Sequence, residues 1–273
     1  MRISRLDKAN RGTRPPTVVA AHYLEAIFYI RAEGEVVRSA RLADWLGVSR
    51  PTVAAALGRM TRDGLLRFNS RKEIELTARG EVAAAAIVRR HRIVERWLTD
   101  VLGLDWVTAD TEAEKLEHAI SDLVAEKLYQ ALGGPQTCPH GNPIPGHATM
   151  RADELRLSGL KEGESGVITR ISEVAQREAP PLLQYLHDRR LHPGARVVVE
   201  EVDEVGRTMR LRAASMVTLS TETAAKLSVV RSVKPRPGRA PAGAHARAGS
   251  PAAARQRVSA AAPASRQRRS RSR

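Results

Sequence analysis

The sequence predicts a mainly α-helical chain with a small β part, and three observations carry that prediction. Up to about residue 132 apolar residues recur at three- and four-residue spacing, the pattern of helices with one buried face. Between 151 and 230 short alternating runs take over, the pattern of strands. From 231 onward Ala, Pro, Gly, Ser and Arg replace nearly all large apolar residues. Such a segment cannot bury enough apolar surface to offset its ordering entropy. The expected order is a flexible basic arm (1–16), a winged helix-turn-helix (17–80), a helical domain (81–135), a Pro/Gly linker (136–150), a small β-barrel (151–230) and a disordered basic tail (231–273).

The net charge of +15 is unevenly placed. Residues 1–15 carry +4 and residues 231–273 carry +12, so the body between them is close to neutral. Within that body, residues 35–80 hold nine basic and five acidic groups, which makes them the segment where a polyanion docks. The single cysteine, Cys138, excludes an internal disulfide and fits a reducing compartment. No apolar run reaches the ~18 residues of a membrane span, and the polar N-terminus lacks the apolar core of a signal peptide. A cytoplasmic protein without a membrane partner is expected.

Thr17 is placed to cap a helix from Val18 to about Arg31, which Gly34 ends. His22 and Glu25 stand three apart on it and share a face. A second helix, Ala40 to Leu46, stops at Gly47, and Ser49 with Pro51 opens a third carrying Val53, Ala56, Leu57 and Met60 on one side. Two short helices joined by a Gly-containing turn form a helix-turn-helix. Leu65–Phe68 and Glu73–Leu76 then alternate around Asn69-Ser70-Arg71-Lys72, a hairpin with a basic tip, the wing. In this reading Ser49, Arg50, Pro51 and Thr52 enter the major groove of double-stranded DNA. Arg50 suits a guanine edge and Pro51 a thymine methyl, while Arg59, Arg62, Arg71 and Lys72 hold the phosphate backbone.

Thr77 caps a long helix from Ala78 to about Leu102, on which His91 and Glu95 face one way. A further helix is expected to contain Asp110–His118 and run on to about Leu132. On it Asp110, Glu114, Glu117 and His118 fall on one stripe. Carboxylates crowded beside an imidazole repel each other unless a cation sits among them, and this donor set suits first-row divalent ions. That stripe itself contains no thiolate. The helices beyond the wing have alanine-rich faces with no partner in a minimal winged helix, and a two-fold dimer is expected. Strands are expected at Ser165–Ile171, Ala195–Val202, Thr208–Leu211 and Met216–Leu219, with a short helix after the first.

These motifs, in this order, resemble the diphtheria-toxin-repressor family of metal-dependent transcriptional repressors. The resemblance covers roughly residues 17–228. It rests on S-x-P-T-V…R-M-x-R-D-G-L-L, E-L-T-x-x-G, H-R-x-x-E-R-x-L, the E-H pair and G-N-P-I-P-G. It implies that residues 151–230 form an SH3-like barrel similar to ferrous-iron transport protein A, and that the chain is a homodimer binding operator DNA. It also implies a primary metal site at His22, Glu114, Glu117 and His118, and an ancillary one at His91, Glu95, Asp110, Glu173 and Gln176. The iron-responsive branch has methionine and cysteine where this chain has His22 and Glu114. Glu114 with Glu25 looks like the manganese-responsive branch, in which aspartate is usual at position 22. The implied cofactor is Mn(II), with Fe(II) as the alternative, and the implied role is repression of metal-uptake genes. A metal-independent winged-helix or chromatin-type binder is the second reading. A hydrolase is disfavoured, since H-E-x-x-H is absent and no nucleophile–base pair or small-molecule substrate site stands out.

Overall fold

The computed structural model describes residues 16–178 and 180–232. The N-terminal domain opens with α1 (Val18–Ala32), whose first turn is held by Thr17 Oγ1 accepting from the Ala20 N–H at 3.2 Å. Next come α2 (Ser39–Leu46) and α3 (Arg50–Arg62), with Gly47 between them in the left-handed conformation that turns the chain. Leu24, Ile27 and Ile30 of α1 meet Leu42 of α2 and Val53, Leu57 and Met60 of α3 in one buried cluster. Each such aliphatic contributes about 1.5–3 kcal/mol by leaving water.

The wing is β1 (Leu66–Phe68) paired antiparallel with β2 (Ile74–Leu76), in the register Leu66 opposite Leu76 and Arg67 opposite Glu75. Its tip is shaped by Asn69, whose Oδ1 accepts from the backbone N–H of Arg71 (2.9 Å) and Glu73 (3.0 Å), while Lys72 takes a positive φ of 59°.

The long helix α4 (Ala78–Asp100) is capped by Thr77. Gly80 in its first turn is obligatory, because a Cβ there would lie 1.9 Å from the Leu65 carbonyl oxygen. Then follow α5 (Trp106–Leu116) and α6 (Asp122–Ala131). The continuous helix expected from Asp110 to about Leu132 is therefore two helices. Ser121 is the reason: its hydroxyl accepts from the Val124 N–H at 3.3 Å and starts a new helix, while the Leu116 carbonyl closes the preceding turn. Glu117 and His118 consequently sit at a helix C-cap and in the turn beyond it.

The stretch expected as a Pro/Gly linker over 136–150 connects the helices to the β-rich part, and it is also packed. Cys138, His140, Asn142 and Ile144 are all buried. Asn142 Nδ2 donates to the Ile171 carbonyl (2.9 Å), and the Ile171 N–H donates to the His140 carbonyl (2.9 Å). At Gly141, with φ 85°, a Cβ would lie 2.0 Å from the Thr169 carbonyl oxygen, so only glycine lets the two backbones approach this closely.

The strands of the C-terminal domain are β3 (Leu155–Arg156), β4 (Ser165–Ile171), β5 (Arg196–Asp203), β6 (Thr208–Arg212), β7 (Met216–Ser220) and β8 (Leu227–Arg231). They form an antiparallel sheet in the order β3-β8-β4-β5-β6-β7. The register shifts within β4 and β5 curl the sheet around one apolar core. Helices α7 (Glu173–Glu178) and α8 (Pro180–Asp188) follow β4, and α9 (Thr221–Ala225) precedes β8. Trp106 of α5 joins this core, which seats the β domain on the helical one. The basic arm over 1–15 and nearly all of the tail, from 233, lie outside the described residues.

Candidate metal centre

Helical segments far apart in the chain converge on one cavity of about 240 Å³. Helix α1 contributes His22 and Glu25, α4 contributes His91 and Glu95, and α5 contributes Asp110 and Glu114. Glu117, at the α5 C-cap, is fully buried, and its Oε2 lies 2.9 Å from His91 Nδ1. His91 Nε2 faces Asp110 Oδ1 at 3.5 Å, so carboxylates occupy both edges of the imidazole. The His118 and His22 rings lie 5.0 Å apart, centre to centre. His118 Nε2 approaches Glu117 Oε1 at 3.3 Å without forming a hydrogen bond, and both atoms are buried.

Potential ligand atoms of Glu25, His91 and Glu117 lie within 4.8 Å of one another, as do those of His91, Glu95 and Asp110. Burial, then the neighbouring Glu117, pushes the Glu25 carboxyl up to about 8, despite the opposing effect of His91 and a 2.7 Å bond from the Tyr29 hydroxyl. Burial pulls His91 down, yet its bonds to Asp110 and Glu117 hold it well above the usual imidazole range. The metal-free centre therefore carries protons where a divalent ion would carry charge. Burial lowers His118, which keeps its ring neutral and able to donate a lone pair. Orphaned buried donor atoms, crowded carboxylates and a neutral imidazole fit a divalent cation.

Glu173 lines the same cavity from α7, but its Oε1 is held by Arg92 of α4, at 3.0 Å from Nε and 2.7 Å from Nη2. Arg92 Nη1 also donates to the Pro143 carbonyl. The side chain of Gln176 lies outside the described residues.

Sequence reasoning did not bring Cys138 and His140 to the centre. Both are buried beside Glu95, and ligand atoms of the three lie within 4.8 Å of one another. His140 Nδ1 is 2.6 Å from Glu95 Oε1. Burial and the Glu95 charge raise the Cys138 thiol well above its usual range. A thiol therefore does reach the region, from a segment far along the chain. The adjacent C-P-H-G-N-P-I-P run was the available signal.

The helix-turn-helix presents its residues outward. Ser49, Arg50, Pro51 and Thr52 are all exposed at the start of α3, as are Arg59, Arg62, Arg71 and Lys72. Ser49 Oγ caps α3 by accepting from the Thr52 N–H at 3.3 Å.

Known proteins match this arrangement domain by domain. Residues 17–74 match the iron dependent repressor N-terminal DNA binding domain, 77–146 the iron dependent repressor metal binding and dimerisation domain, and 155–231 the FeoA domain. The iron-dependent repressor IdeR of Mycobacterium tuberculosis is 37% identical over 218 residues, 76% of this chain and 94% of that protein. The chain belongs to the diphtheria toxin repressor family. The diphtheria toxin repressor of Corynebacterium glutamicum is 35% identical over 211 residues, 74% of this chain and 91% of that one. Among solved structures, a manganese-dependent transcriptional repressor in complex with manganese aligns with a TM-score of 0.69 and 30% identity, over 78% of this chain and 99% of that one.

As a member of the diphtheria toxin repressor family, the chain is a metal-dependent DNA-binding repressor and not an enzyme. Its dimerisation domain binds a divalent metal, iron or manganese, and its domains indicate operator DNA and a second copy of the chain as partners. Among the described residues no helix is long and apolar enough to cross a membrane.

Proposed function

We propose that this repressor acts in the cytoplasm on metal-uptake genes, with Mn(II) as its signal. The observation that carries the reading is the convergence of Glu25, His91 and Glu117 within 4.8 Å. Glu25 belongs to the first helix of the DNA-binding domain and the other two to the helical domain, so one ion ties the two together. Around that triad, His22, Glu25, Glu114, Glu117 and His118 are the proposed primary ligands, a hard oxygen-rich set that favours Mn(II). His91, shared with the ancillary set, holds the Glu117 carboxylate at 2.9 Å. When bound, the ion supplies the positive charge that offsets these carboxylates.

The chain's own residues do the rest. Glu25 and His91 give up their protons, His118 presents a neutral nitrogen, and Tyr29 keeps the Glu25 carboxylate oriented through its hydrogen bond. With α1 fixed, the two α3 helices of a dimer stand at a spacing that fits successive major-groove turns. The second copy docks on the exposed apolar residues at the ends of α4 and α5 and the start of α6, namely Val101, Leu102, Leu116, Leu123 and Val124.

The ancillary site implied by the resemblance combines His91, Glu95, Asp110, Glu173 and Gln176. Two triads share Glu95, one with His91 and Asp110 and one with Cys138 and His140, each within 4.8 Å. Both support a second site around Glu95 in which Glu173 takes part once released from Arg92. A thiol donor there is the observation that keeps Fe(II) open as the signal.

The test is operator affinity of the full chain, free of metal and titrated with Mn(II), Fe(II) without oxygen, or Zn(II). Tight binding with Mn(II), reversed by chelator and lost in Glu117→Ala with helical content retained, is expected. Equal affinity with and without metal sinks the reading, and a metal response that survives in Glu117→Ala sinks the site assignment.

A further inference from the structure

The far end of α1 is held by the β domain. Glu33, the C-cap of α1, has a side chain only 6% exposed, although it stands at the end of a helix. Both its carboxylate oxygens are taken by arginines from two different strands. Arg170 of β4 donates from Nη1 to Oε1 at 2.9 Å, and Arg156 of β3 donates from Nη2 to Oε2. Each arginine has further partners within the β domain. Arg170 Nε donates to Glu154 Oε2 at 3.0 Å, and Arg156 Nη1 reaches Ser228 Oγ at 3.4 Å. Arg170 is itself buried, with 8% of its side chain exposed.

Burial alone would raise the Glu33 carboxyl, yet Arg170 and Arg156 outweigh it and hold the group below the usual carboxylate range. The carboxylate is thus charged, desolvated and satisfied on both oxygens. A group in that condition is tied firmly to its partners, because separating them leaves a charge stranded.

Glu33 lies eight residues beyond Glu25, about 12 Å along a helix rising about 1.5 Å per residue. Leu24, Ile27 and Ile30 between them lock α1 into the core of the DNA-binding domain. We propose that Glu33, Arg156 and Arg170 are positioning residues, a clamp through which the β domain fixes α1 so that His22 and Glu25 meet the metal cavity already aligned. None of the three touches the cavity. Without the clamp, α1 and the domain packed on it sample several orientations, and apparent metal affinity falls by the fraction of time spent misaligned. The proposal rests on the metal-bridging reading above, and its test separates the two.

The test compares full-length wild type with Glu33→Gln and, as a milder change at a partly exposed group, Arg156→Gln. Amide hydrogen exchange of residues 18–32 is measured without metal, and Mn(II) affinity is measured by titration. Both variants are expected to exchange faster in the last turn of α1, beside the broken clamp, while β5 to β7 stay protected. Mn(II) affinity is expected to drop roughly five- to tenfold, within the range of ordinary coupling between sites, with metal-free operator affinity unchanged. Unaltered α1 exchange and Mn(II) affinity in both variants overturn the clamp, even if thermal stability falls. Wild type whose operator affinity ignores metal overturns the proposed function instead, and the metal-free exchange measurement still decides whether the clamp holds α1.

Discussion

The carboxylate of Glu117 lies 2.9 Å from Nδ1 of His91, joining the end of one helix to the middle of another at the point where Glu25 arrives from the DNA-binding domain. Asp110 engages the opposite edge of the same ring. In the absence of a metal ion the imidazole acts as the local cation, and this makes the centre sensitive to pH.

Stability of the metal-free chain is expected to fall as pH rises from about 5 to about 8. Burial and Glu117 push Glu25 up to about 8, so between the ordinary carboxylate range and that value the folded chain binds the extra proton, and raising the pH favours unfolding. His91 acts in the same direction. Although burial lowers it, Asp110 and Glu117 hold it well above the ordinary imidazole value. Its stabilising contribution is complete below that value and is lost as pH climbs through the folded one. Thermal unfolding in chelator checks this, and Mn(II) should raise the midpoint most at the alkaline end, where fewer protons must be displaced. A metal-free midpoint that climbs over this range would falsify the assignment.

Cys138→Ser is expected to change which metal is preferred more than whether metal is bound. A thiolate favours softer ions and a hydroxyl does not. Loss of the sulfur beside Glu95 and His140 should weaken Zn(II) and Fe(II) binding by at least about tenfold relative to Mn(II). Competition titrations on the intact chain measure the ratio, and an unchanged ratio removes Cys138 from the second site.

Gly141→Ala should destabilise the fold by about 2–3 kcal/mol. The added methyl meets the Thr169 carbonyl oxygen at 2.0 Å, on a backbone whose φ of 85° already suits only glycine. Urea unfolding gives the number. The same change should disturb the second site, because it displaces the turn that carries His140, whereas Gly163→Ala, with φ 76° and open space around it, should strain the backbone alone.

At the DNA surface, Arg50→Ala and Lys72→Ala are expected to differ in kind. Arg50 stands exposed at the start of α3, and its loss should cost about 1–3 kcal/mol and relax the choice of base at one position. Lys72, at the wing tip, should weaken binding to all sequences alike and reduce the salt slope by about one. Affinities for matched and scrambled operators at several salt concentrations separate the two, and equal losses on both sequences for Arg50→Ala argue against base contact.

What was legible in the sequence was what neighbouring residues decide. Thr17, Ser49 and Thr77 cap helices where their hydroxyls predict, since capping depends on the next three residues. The buried stripe of Val53, Ala56, Leu57 and Met60 follows from helical periodicity alone. Ser121 was missed as a cap because the apolar spacing continues across it, and the separation of α5 from α6 was missed with it. Strand β8 was passed over because Leu227, Ser228 and Val229 are all buried in the sheet interior, where alternation disappears. The Glu95–His140 and Arg92–Glu173 pairs join residues far apart in sequence, and no local pattern announces them.

The candidate donors come from five stretches of chain, around 22–25, 91–95, 110–118, 138–140 and 173, carried on separate helices and turns. With the proposed donors, no short fragment holds the ion as a zinc finger peptide does, and a nascent chain has no cavity until its later helices have docked. In the proposed site, operator occupancy is thereby withheld from incomplete or misassembled copies, so the arrangement proposed to detect metal also serves as an inspection of the finished molecule.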